Sequence, residues 1–153
     1  MHTIKRVSTR RQLTQILALL LGLLFSTITL ADKLNLKDGL AIRGYDPVAY
    51  FSDNQAVEGS PSISLHWGGA TWQFSSESNR DLFEQDPGKY APQYGGFCAY
   101  AASKGALADA DPLAFTVHNG KLYLNFNLQV RDLWDGDRDG NISRADSNWP
   151  GLQ

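Results

Sequence analysis

The sequence predicts a small single domain of the α+β class, built from antiparallel β-hairpins and short helices. Three observations carry that expectation. Two pairs of runs that alternate apolar and polar residues flank Gly68-Gly69 and Asn119-Gly120, the signature of hairpins. The segments with helical spacing are short and are closed by proline or glycine. No repeat, low-complexity tract or linker divides the 153 residues.

The elements follow in order. Asp38-Gly39 and Arg43-Gly44 read as turns. Tyr45 to Phe51 contains Pro47, which lacks a backbone donor, and reads as an extended edge segment. Residues 53–61 are a polar loop. Ile63 to Trp67 and Thr71 to Phe74 form the first hairpin. A helix begins at Ser75 or Ser76, whose hydroxyl caps a free N–H, and it turns Leu82 and Phe83 to the core before Asp86-Pro87-Gly88 stops it. Gln93 to Phe97 is a loop with unusual backbone angles. Cys98 to Lys104 is a short helix closed by Gly105. Phe115 to His118 and Lys121 to Leu124 form the second hairpin. Phe126 to Trp134 is a helix packed through Leu128, Val130, Leu133 and Trp134, and the tail holds a short helix at best before Pro150.

Residues 1–31 stand apart. Lys5, Arg6, Arg10 and Arg11 precede the apolar run Ile16 to Leu24, and Thr29-Leu30-Ala31 ends on a small residue, which is the pattern of a secretory signal peptide. The run is short for a membrane span; an uncleaved anchor is the alternative. Residues 32–153 then form the domain, in the periplasm or outside the cell. The segment holds four of the 14 Lys and Arg and none of the 16 Asp and Glu, so the domain carries ten basic against 16 acidic residues, a net charge of −6. That charge argues against nucleic acid and against an anionic lipid surface as partners.

The chemistry available is limited. Cys98 is the only cysteine, so no internal disulfide forms and no Cys-x-x-Cys pair exists. It follows a Gly-Gly loop at a helix start, where free N–H groups favour a thiolate; a buried small side chain is the plain alternative. His66 and His118 lie beside hairpin turns and are candidates to join Cys98 in a metal site, although each also reads as an ordinary hydrogen-bonded histidine. Tyr45, Tyr50, Tyr90, Tyr94 and Tyr100, with Trp67 and Trp72, are candidates either for core packing or for the lining of a pocket for a planar ligand or haem. Asp135, Asp137, Asp139, Ser143 and Asp146 place oxygen donors at positions 1, 3, 5, 9 and 12 of a twelve-residue stretch that also holds Asn141 and has Gly140 at its sixth position, which resembles an EF-hand calcium loop. A solvated acidic turn explains the same residues. No nucleophile triad, phosphate loop or paired-carboxylate motif favours an enzyme.

Asp46-Pro47-Val48, then Phe74-Ser75-Ser76-Glu77-Ser78-Asn79, Phe83, Asp86-Pro87 and Lys89-Tyr90 together resemble the YHS domain, a small module linked to heavy-metal handling. Tyr45 belongs to the same frame. Gly44 to Phe51, Gly95 to Ala99, Asp111-Pro112, Gly120 to Asn125 and Ala145 to Trp149 resemble the secreted members, so the likeness runs over about residues 34–150. It implies a YHS/TRASH-like core and a copper-like metal ion. In the metal-binding form three cysteines are expected where this chain has Ala49, Ser75 and Asn79, which are poor ligands for soft ions. The expectation is therefore an exported, non-enzymatic domain that binds a transition metal or a small ligand. The alternatives are a scaffold for an unknown protein partner, a thiol-dependent redox protein using Cys98, and calcium binding in the tail.

Overall fold

The computed structural model describes residues 33–153, and residues 1–31, where a signal peptide is expected, lie outside the described residues. The α+β expectation holds. Among the described residues six strands run in chain order: β1 (Leu36–Lys37), β2 (Leu40–Ala41), β3 (Ser60–Trp67), β4 (Ala70–Phe74), β5 (Asp111–His118) and β6 (Lys121–Asn125). The helices are α1 (Ala49–Ser52), α2 (Glu77–Gln85), α3 (Pro87–Tyr90), α4 (Ala99–Ser103), α5 (Leu128–Asp135) and α6 (Arg138–Asn148). Among the described residues no helix is long and apolar enough to cross a membrane.

Both predicted hairpins form. β3 pairs antiparallel with β4, and β5 with β6. Each two-residue turn sits at positive φ, at 62° and 85° for Gly68 and Gly69 and at 51° and 71° for Asn119 and Gly120. That backbone matches the twist of the strands it joins, which is why Gly-Gly and Asn-Gly serve there. β2 lies parallel to β4 with Leu40 opposite Thr71, giving a four-stranded sheet in the order β1-β2-β4-β3 beside the separate β5-β6 ribbon.

The helix starts are set by polar side chains. Ser76 accepts from the Asn79 N–H at 3.1 Å to cap α2, and Asn127 accepts from the Val130 N–H at 2.9 Å to cap α5. Asp86 ends α2 and its side chain accepts from the Lys89 N–H, so the predicted stop also starts α3, with Pro87 in its first turn.

Two buried clusters form the core. Val48, Tyr50, Trp72, Phe74, Phe83, Leu122 and Leu124 belong to the first. Tyr94, Ala99, Ala102, Tyr123, Trp134 and Ala145 form the second. Strand β6 separates them, because its side chains alternate: Leu122 and Leu124 enter one cluster and Tyr123 the other.

Several expectations need correction. The segment after Asp46-Pro47 is not extended beyond Pro47 but turns into α1, because the Asp46 carboxylate accepts from the Val48 N–H at 2.9 Å and proline suits a first helical turn. Phe83 is buried, whereas Leu82 is 40% exposed; neighbours on a helix point about 100° apart, and one face serves the core. For the same reason Trp134 is buried in α5 while Leu128 and Leu133 are exposed. The tail is not a short helix at best, since α6 runs eleven residues before Trp149.

Candidate functional site

The three positions at which the resemblance expects cysteine meet around one carboxylate. Asp46 is fully buried. Its Oδ1 accepts from the backbone N–H groups of Val48 at 2.9 Å and Ala49 at 3.4 Å. Its Oδ2 accepts from the Ser75 N–H at 2.8 Å, the Ser75 hydroxyl at 2.6 Å and the Asn79 amide at 2.7 Å. All three positions at which the resemblance expects cysteine therefore touch Asp46, as a backbone donor, a hydroxyl and an amide. Such donors satisfy the hydrogen-bonding capacity of a carboxyl group taken out of water. They turn hydrogens toward the centre, the opposite of what a cation needs. Phe74, Phe83, Pro47 and Tyr90 are buried core residues, with the Phe74 and Phe83 ring centroids 5.4 Å apart. Pro87 supplies the start of α3 and Tyr45 bridges to Glu58.

The expected metal site at Cys98, His66 and His118 is not assembled. His66 is exposed on β3, opposite Thr71. His118 pairs with Lys121 at the first residue of β6, whereas Cys98 bridges Leu124 near its other end. Three strand residues span about 10 Å, and ligands of one ion must lie within a few ångströms of each other. His118 Nε2 lies 3.0 Å from Asp139 and its Nδ1 lies 3.4 Å from Arg138, contacts that explain it as a link to α6. Among the described residues no group of three His, Cys, Asp or Glu is placed to hold a metal ion.

Cys98 is 1% exposed and caps the short α4, accepting from the Ala101 N–H at 3.4 Å, while its thiol lies 3.6 Å from Asn125 Oδ1. Burial removes the access that a reactive thiol requires. Alkylation by iodoacetamide at neutral pH is expected to be slow, and to accelerate at least 100-fold in denaturant. Rapid modification of the folded protein would restore the thiol-dependent reading.

The calcium loop is replaced by helix. Asp137 sits at the start of α6, and Asp139, Asn141 and Asp146 lie on it, so their oxygens spread along and around a rod and do not converge on one point. Each is engaged elsewhere. Asp135 pairs with Arg138 at 2.7 Å, and Asp137 pairs with Arg144 at 2.8 Å, which lowers its pKa. Asn141 is buried, donating to the Trp134 carbonyl at 3.0 Å and accepting from the Ser103 hydroxyl at 3.1 Å. A Cβ on Gly140 would meet the Asp137 carboxylate at 2.4 Å, so a side chain there would push that carboxylate from its place beside Arg144.

A cleft of about 540 Å³ opens where the β3-β4 turn, the Gln93–Gly96 turn and the end of α6 approach one another. Trp67, Trp72, Tyr94 and Trp149 line it, together with Lys121 and Asp146. Trp72 is held by its indole N–H, which donates to the Trp67 carbonyl at 3.0 Å. Trp67 is 40% exposed and stacks edge-on to Phe83 at 5.8 Å. On the other side Tyr94 meets Trp149 at 5.8 Å, and its hydroxyl donates to Asp146 Oδ1 at 2.8 Å. Tyr94 adopts φ 54° and Gly95 φ 58°, and a Cβ on Gly95 would lie 2.0 Å from the Lys33 carbonyl oxygen, so the turn admits only glycine there.

Of the aromatic residues that are pocket candidates by sequence, the structure gathers Trp67, Trp72 and Tyr94 in the cleft. Tyr50 and Tyr90 are core residues instead, and Tyr100 lies beneath the Lys104 ammonium. Lys121, Asp146 and Trp149 were missed as cleft residues. The only signal for them was a Trp near the chain end; their meeting depends on how α6 folds back.

Burial raises the pKa of Tyr94, and the hydrogen bond to Asp146 raises it further. Burial likewise raises Tyr50, with added repulsion from Tyr45, Asp111 and Asp46. A raised tyrosine pKa means that the fold favours the neutral phenol. That contribution is whole below the ordinary tyrosine value of 10.0 and is lost as pH rises toward the value in the fold. Alkaline unfolding is expected above about pH 10, with phenolate absorbance from these two residues appearing together with loss of far-ultraviolet circular dichroism. Ionisation of both in a folded protein at pH 10 would contradict it.

Compared with protein-family models, with curated proteins and with solved structures, the chain matches none.

Proposed function

We propose that this is an exported, non-enzymatic YHS-type domain that binds a small organic ligand, with the frame of a metal-binding module retained as a scaffold. The observation that carries the reading is the aromatic cleft. Its volume falls in the range of about 300–1,000 Å³ usual for small-molecule sites, and it combines apolar walls with a few polar groups. The hydrogen-bonded Asp46 centre supports the second half of the reading, because the three positions expected to carry thiolates serve the fold.

The test is a thermal-shift screen of the purified protein against small aromatic compounds, sugars and metal ions. A ligand at a hundred times its Kd stabilises a fold by about 2.7 kcal/mol. Organic compounds are expected to raise the melting temperature, and Trp149→Ala and Trp67→Ala, each verified as folded, are expected to remove the shift. Stoichiometric uptake of copper or zinc with no organic ligand would overturn the proposal. So would organic stabilisation that both variants leave intact.

A further inference from the structure

The charges around the cleft narrow the ligand class. Lys121 begins β6 and lines the cleft, and its ammonium makes no ion pair or hydrogen bond among the described residues. The domain carries a net charge of −6, so an unpaired cation beside aromatic walls stands out. Asp146 lies in the same lining. One of its carboxylate oxygens accepts the Tyr94 hydroxyl, and the other has no partner among the described residues. Gln93 also lines the cleft, with its side-chain amide unbonded among the described residues. The lining therefore offers flat apolar faces, one free cation, one free acceptor and one free amide.

These features weigh differently for different ligands. A quaternary ammonium would suit the aromatic faces but would meet Lys121 with like charge. A neutral sugar would use Asp146 and Gln93 and leave the ammonium without a partner. A planar ring bearing an acidic group uses every part: its face lies on the indoles, its anion meets Lys121, and a ring N–H meets the free Asp146 oxygen. The geometry points to a planar heteroaromatic acid, with an N–H donor on the ring and a carboxylate or similar anion as substituent, as the class of ligand held between Trp67, Trp149 and Lys121. This rests on the cleft being the ligand site.

Isothermal titration with indole-3-acetate and its neutral amide, indole-3-acetamide, tests it. The acid is expected to bind at least tenfold more tightly than the amide. Lys121→Gln, an exposed change with no contact to lose, is expected to bring the acid to the level of the amide, and Trp149→Ala to weaken both. Equal affinity for acid and amide, with both weakened by Trp149→Ala, would overturn the acid class and leave the cleft reading standing. Binding that Trp149→Ala does not weaken would overturn both. Failure of the acid to bind at millimolar concentration would overturn the acid class, while the thermal-shift screen decides the cleft independently.

Discussion

Replacing Asp46 with alanine is expected to destabilise the domain by about 3 kcal/mol, because buried donors lose the acceptor they share. The N–H of Val48 is buried and would be left without a partner, while Ser75 and Asn79 have partial access to water and lose less. The loss corresponds to a fall in melting temperature of roughly 10 °C for a domain of this size. Asp46→Asn keeps the shape and one oxygen, so its cost should be smaller, and Ser75→Ala should cost about 1 kcal/mol. Chemical denaturation of the three variants measures the order. If Asp46→Ala proves as stable as the wild type, the carboxylate is not the tie that joins α1, β4 and α2.

The second large effect is at Trp134, which is fully buried in the second cluster with its ring 5.1 Å from Tyr123. Trp134→Ala removes most of a large side chain and is expected to cost about 3–5 kcal/mol. Trp134→Phe should behave very differently. The indole N–H is buried with no acceptor among the described residues, so a ring without that donor gives up contact area but also relieves an unpaired polar group. The expected net change is within about 1 kcal/mol. Equilibrium unfolding in urea compares the two, and a Phe variant as unstable as the Ala variant would show that the indole contributes through its full shape.

The parts of the fold that were legible in the sequence are those specified by neighbouring residues. Gly68-Gly69 and Asn119-Gly120 name their turns because few other pairs tolerate positive φ at both positions. Ser76 and the Asp86-Pro87 pair name helix ends through local hydrogen bonds. The misreadings arose where local pattern met distant packing. Asp135 to Asp146 has the spacing of a calcium loop, but Asn141 is drawn inward by Ser103 and Trp134, and Arg144 reaches back to Asp137, so helix wins. Asp-Pro at residues 46 and 47 fits either an edge segment or a helix start, and the donors brought by Ser75 and Asn79 decide for a capped turn. The cleft was half legible: its aromatics are visible as types, but Lys121 and Trp149 become neighbours only through the tertiary fold.

The placement of β6 between the two clusters bears on how the molecule fails. Leu122, Tyr123 and Leu124 commit one strand to both sides at once, so neither cluster retains a complete wall if the other opens. A partially melted form with one half intact would expose part of this strand to water. Loss of structure should therefore be all-or-none, with a single denaturation midpoint whether followed by tryptophan emission or by backbone signal, and amide hydrogens of β6 should exchange among the slowest in the chain.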